Sequence, residues 1–95
     1  MHYLACAPLF DAPVLWKGVE EGWLRFDVAA GETLLLTPIA RFALDQLTRQ
    51  RQSADDLVRA VLQEEPEAQP DDCRHLVNAA IAALLAAQLI RATPP

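Results

Sequence analysis

Between residues 23 and 28 apolar and polar positions alternate, with Leu24, Phe26 and Val28 on one side of an extended chain and Trp23, Arg25 and Asp27 on the other. A period of two marks a half-buried antiparallel strand. A second run, residues 33–36, carries Leu34 and Leu36 on one side and Thr33 and Leu35 on the other, so both of its faces are partly apolar. Something has to cover Leu35: a helix, the N-terminal residues or another chain. Residues 29–32 link the two runs through Gly31, which can take positive φ. Residues 14–17 form a shorter candidate strand, followed by a turn over residues 18–22. Residues 1–13 read as an irregular arm, in which Pro8 and Pro13 limit regular pairing and Tyr3, Leu4, Leu9 and Phe10 are free to pack against the body.

After Leu36 the period lengthens to that of a helix. Thr37 offers a side-chain oxygen to cap free N–H groups, and Pro38 suits a first helical position where its missing donor does no harm. Ile39, Phe42, Ala43 and Leu47 follow at helical spacing, and the helix ends near residues 49–52. Ser53 with Asp56 three residues on resembles a capping box that opens a second helix, with Leu57, Val58, Val61 and Leu62 on its apolar side and Pro66 stopping it. Pro70, Asp71 and Asp72 start a third helix predicted to run to about residue 90, with Cys73, Leu76, Val77, Ala80, Ile81, Leu84, Leu85 and Ile90 in a broad apolar stripe. A stripe of this kind is normally core, yet its width leaves one margin free to wall a groove. The order of three strands and then three helices predicts an α+β domain, its strands a meander whose first and third members are edges. Open edges invite pairing unless they are used or covered.

Composition narrows the functional classes. A chain of 95 residues with 53% hydrophobic residues and three glycines is a single folded domain, residues 1–95. The net charge of −5 arises from five basic and six acidic residues up to Gln52 and three against seven after it. Nucleic-acid binding calls for a clustered basic face that this balance does not supply. Cys6, Cys73, His2 and His75 show no metal-ligand spacing, and no disulfide, metal or cofactor is expected. The N-terminal residues lack a charged segment and a long apolar run, so neither a secretory signal nor a membrane span is predicted and the cytoplasm is the default. No paired carboxylates, no nucleophile with a base and no glycine-rich phosphate loop stand at usable spacing, and no catalytic residue is assigned. Cys73 lacks a base, because His75 two residues on points elsewhere on a helix. Trp16 and Trp23 are either core or a docking patch, and the acidic residues between Glu64 and Asp72 read as a solvated loop or a selector of basic partners.

The run LLLTPIARFALDQLTRQRQSADDLVRAVLQEEP, followed after a short gap by DDCRHLVNAAIAALLAAQLI, resembles the PqqD family and its wider group, the RiPP recognition elements. The family pattern of a strand ending in a Leu-Asn or Leu-Thr step falls on Leu36 and Thr37. Its first helix falls on residues 39–47, the opening of its second on residues 53–57, and the closing motif of its third on residues 85–90. The resemblance extends over residues 23–90 and is nearest to the branch associated with an HPr-kinase-related peptide system, while residues 1–22 match poorly.

The resemblance implies a winged-helix-like domain, with an arm over residues 1–13, a three-stranded antiparallel sheet over 14–37 and three helices over 38–90. It implies a non-catalytic peptide chaperone that takes up the leader of a ribosomally made precursor peptide as an added strand and presents it to a modifying enzyme, of kinase-like type in the branch named above. The peptide-binding residues it implies are Thr33, Leu34, Leu35 and Leu36 on the strand and Arg74, Val77, Asn78, Ile81 and Leu85 on the third helix. Main-chain groups of the strand would supply affinity, and apolar pockets beside it would choose side chains. The residues alone leave two rivals open. One is a winged-helix DNA-binding regulator using Arg41, Arg49, Arg51 and Arg59; the other is a structural adaptor that pairs its sheet edge with its own copy as a homodimer.

Overall fold

The computed structural model describes residues 1–6 and 13–94. It contains two three-stranded antiparallel sheets and three helices, an α+β architecture. The meander is built from β2 (Val14–Val19), β3 (Gly22–Asp27) and β4 (Glu32–Leu36), in the order β2-β3-β4. Its register pairs Trp16 with Arg25 and Arg25 with Leu34, and likewise Gly18 with Trp23 and Trp23 with Leu36. β2 runs two residues beyond the predicted strand, and only Glu20 and Glu21 make the turn. The second link is held by Asp27, whose carboxylate accepts from Ala30 N–H at 3.1 Å and whose carbonyl accepts from Gly31 N–H at 2.9 Å. Gly31 has φ +68°, a left-handed conformation that favours glycine.

The helices start as their local chemistry dictates. Thr37 Oγ1 accepts from Ala40 N–H at 3.2 Å at the start of α1 (Pro38–Arg49). Ser53 and Asp56 form a reciprocal capping box at α2 (Ala54–Glu64), with bonds of 3.1 and 3.0 Å. α3 spans Pro70–Ala86. The core joins Leu36 to Ala40, Ala43, Leu44 and Leu47 of α1, Leu57 and Val58 of α2, and Cys73, Val77, Ala80, Ile81 and Leu84 of α3. On α1 the deepest residues are thus Ala40, Ala43, Leu44 and Leu47, while Ile39 and Phe42 are only half-buried.

Three sequence-based expectations are corrected. Residues 1–13 are not an irregular arm throughout: β1 (His2–Ala5) is the central strand of a second sheet, between β5 (Gln52–Ser53) and β6 (Ile90–Thr93). The expected packing of Leu9 and Phe10 lies outside the described residues. The third helix stops at Ala86 instead of reaching residue 90. Gln88 takes φ +61°, Gln88 N–H donates to Leu85 O at 3.0 Å, and Leu89 N–H donates to Leu84 O at 2.9 Å. These two bonds form a Schellman motif, which turns the chain out of the helix and sends Ile90 into β6. The residues after Leu36 are consequently not all helical, since β5 and β6 carry the second sheet under the helix ends.

Candidate functional site

Pairing in the meander sorts its side chains into two faces. One carries Trp16, Trp23, Arg25, Leu34 and Leu36, and α1 packs against it through Arg41. The Arg41 guanidinium lies 4.4 Å from the centroid of the Trp16 ring and 3.9 Å from that of Trp23, a cation sandwiched between two π faces. Arg25 approaches Trp16 from the sheet at 6.0 Å. Both tryptophans are half-buried, and Trp16 packs against the core. The face that turns inward is therefore the one bearing the tryptophans, and the alternating row Leu24, Phe26 faces outward.

β4 is one edge of the meander: among the described residues its only strand partner is β3. Its backbone groups that point away from β3 are available to a further strand. Thr33 is exposed, Leu34 half-buried, Leu35 exposed at 55% and Leu36 buried at 5%. Leu36 is the inner anchor that ties the strand to the helical core. Register at this end depends on Gly22, which has φ +149° and packs so closely on Leu36 that an added Cβ would lie 2.2 Å from the Leu36 carbonyl oxygen.

Of the five residues of α3 expected beside this strand, two are buried and three are exposed. Val77 and Ile81 are buried in the core. Arg74 is exposed and bonds Asp55 of α2 at 2.6 Å, so its margin of α3 lies beside α2. Around a helix of ~100° per residue Leu85 and Asn78 lie about 20° and 40° to one side of Arg74, and Ile81 and Val77 about 20° and 60° to the other, toward the core. Asn78 and Leu85 are exposed. The helix that joins the meander to the rest of the molecule is α1, whose Arg41 no motif singled out as a partner of the two tryptophans.

The arginines proposed for a DNA-binding patch are largely engaged elsewhere. Arg41 is in the tryptophan sandwich, Arg59 pairs with Asp56, and Arg51 Nη1 donates to the Pro94 carbonyl at 3.1 Å. A cleft of about 400 Å³ lies between the end of α1, β5 and α2, lined by Gln46, Gln50, Arg51, Gln52, Arg59 and Gln63 among others. It is polar and lies apart from β4. Among the described residues no group of three or more His, Cys, Asp or Glu is placed to hold a metal ion. Cys6 and Cys73 are free, the first exposed and the second buried. Within the described residues no helix is long and apolar enough to cross a membrane. Comparison with protein-family models, with curated proteins and with solved structures finds no match for this chain.

Proposed function

We propose that this domain is a non-catalytic peptide chaperone: it receives the leader of a ribosomally made precursor peptide as a fourth strand alongside β4 and presents the peptide to a modifying enzyme. The observation that carries this reading is the edge of β4, a five-residue strand with apolar side chains on both faces that among the described residues pairs only with β3. Each main-chain hydrogen bond to an added strand contributes about 1 kcal/mol net, so two to four of them bind weakly unless side chains add to them. Leu35 offers contact on the outer face and Leu34 on the inner face, so alternate residues of the added strand meet apolar neighbours on both sides. Pattern resemblance to the PqqD family gives the reading its substrate class and its partner, a peptide-modifying enzyme of kinase-like type. The cytoplasm, where precursor peptides are made, is the proposed place of action.

Within this reading Thr33, Leu34, Leu35 and Leu36 form the docking strand. Leu36 acts from the core, by holding the strand in register. Arg74 can meet an acidic leader residue only by exchanging its Asp55 partner, and Val77 and Ile81 act from beneath the surface. The test is binding of fluorescently labelled leader peptides, encoded near this gene, to the native chain and to two variants, Leu34→Pro and Leu35→Pro. One of these prolines removes an outward N–H and spares the β3 ladder; that variant should stay folded and lose at least tenfold in affinity. Unchanged affinity in the variant that stays folded would remove β4 from the binding site.

A further inference from the structure

Among the described residues nothing packs over the outer face of the meander, which is largely apolar. Leu15, Phe26 and Thr33 form one cross-strand row, and Lys17, Leu24 and Leu35 the next. Leu15 is exposed at 53%, Leu35 at 55% and Val28, in the adjoining turn, at 55%. Among the described residues, none of Leu15, Leu24, Phe26 and Leu35 belongs to the core cluster or packs against it. The tryptophan sandwich causes this: by drawing α1 onto the opposite face, it leaves Leu15 and Leu35 exposed and Leu24 and Phe26 half-buried on the outer one.

We propose that this face is where a second copy of the chain packs, sheet against sheet. Three strands about 4.8 Å apart and about 18 Å long present on the order of 250 Å² of projected area. Two copies together project about 500 Å², and side-chain relief leaves the buried area below the roughly 1,200 Å² at the lower end of stable interfaces, which makes the dimer weak and concentration-dependent. Charge favours a copy over other occupants. The chain carries −5, yet the two rows contain no carboxylate and one cation, Lys17. Two acidic chains meet here with the least repulsion, whereas a single lysine gives little attraction to an anionic membrane.

A two-fold axis parallel to β3 lays β2 of each copy over β4 of the other, an isologous arrangement. It keeps the two Lys17 side chains apart and sets each over Leu35 of the other copy. Face packing leaves the β4 edge free, so this dimer does not depend on the peptide reading and can fail without it.

Sedimentation equilibrium from about 10 μM to about 1 mM should show a reversible monomer and dimer, with dissociation in the range of tens to hundreds of micromolar. Leu15→Glu, on an exposed position of the far edge, should weaken association at least tenfold and leave binding of leader peptide unchanged. Lys17→Glu should weaken it as well. A chain that stays monomeric throughout overturns the proposal, and co-sedimentation of that monomer with vesicles of phosphatidylcholine and phosphatidylglycerol would assign the face to a membrane instead. A dimer indifferent to Leu15→Glu but dissolved by the edge-blocking proline would be paired through β4, which also overturns it.

Discussion

Replacing Arg41 by alanine tests what holds the meander to the helices. Its guanidinium lies within 4.4 Å of one tryptophan ring and 3.9 Å of another, with side-chain exposure of 25%. A partly desolvated cation over a ring is worth about 1 kcal/mol, so two rings give roughly 2 kcal/mol. The carboxylate of Asp45 at 3.8 Å adds little at a 54% exposed position. Against these gains, Arg41 Nη1 is buried without a hydrogen-bond partner, which offsets about 1 kcal/mol. Alanine also removes the arginine stem that packs on the rings, so the net cost is expected near 2 kcal/mol. For a domain of this size that lowers Tm by about 8 to 16 °C. Denaturant unfolding followed by far-UV circular dichroism measures the loss. Emission from Trp16 and Trp23, the two tryptophans of the chain, reports the same event locally and should shift to the red in the native baseline. Arg41→Met separates charge from packing, because it keeps most of the stem and should recover less than half of the loss. An alanine variant within about 0.5 kcal/mol of the parent would refute the sandwich as the joint between sheet and helices, since that is the range of an ordinary surface change.

Three further outcomes follow from local geometry. Gln88→Gly should stabilise the fold by about 1 kcal/mol in thermal unfolding, because a side chain at φ +61° is strained and glycine is not. Gly22→Ala should cost more than about 2 kcal/mol and disturb the β3 and β4 amide resonances first, since the new methyl group meets the Leu36 carbonyl. The Asp56 carboxyl is held below its ordinary value of 3.8 by the backbone N–H of Ser53 and next by the Ser53 hydroxyl. A depressed carboxyl contributes stability that is fully present above the unfolded value and lost as pH falls through the folded one, so acid unfolding below about pH 4 should be shallower in Asp56→Asn, which should also be less stable at neutral pH.

Features set by neighbouring residues were legible in the sequence. Thr37 with Pro38 and Ser53 with Asp56 mark the starts of α1 and α2 because caps need only three residues. Alternation at residues 23–28 placed β3, and the edge position of β4 followed from short connections. What distant residues decide was hidden. β1 finds its partners in residues 52–53 and 90–93, and four- and two-residue strands carry no periodicity of their own. The end of α3 was obscured because glutamine, not glycine, takes the left-handed position at residue 88, leaving Ile90 in apparent helical phase. The inward face of the meander depends on Arg41 meeting two rings from another element, so the alternation showed two faces without showing which one the helices would choose. The strand that carries Thr33, Leu34, Leu35 and Leu36 was readable in the alternation of its own residues. The burial of Val77 and Ile81 against the exposure of Arg74, Asn78 and Leu85 was not readable, because it depends on how α3 packs on α1 and α2.

The central claim is that peptide joins the free edge of β4. Amide hydrogen exchange, read residue by residue by NMR in the free chain and with a saturating leader peptide, tests it directly. The account predicts that the alternate amides of residues 32–36 pointing away from β3 slow at least tenfold on binding, while amides already bonded to β3 change little. Saturable binding that leaves every amide of β4 exchanging as in the free chain would contradict it.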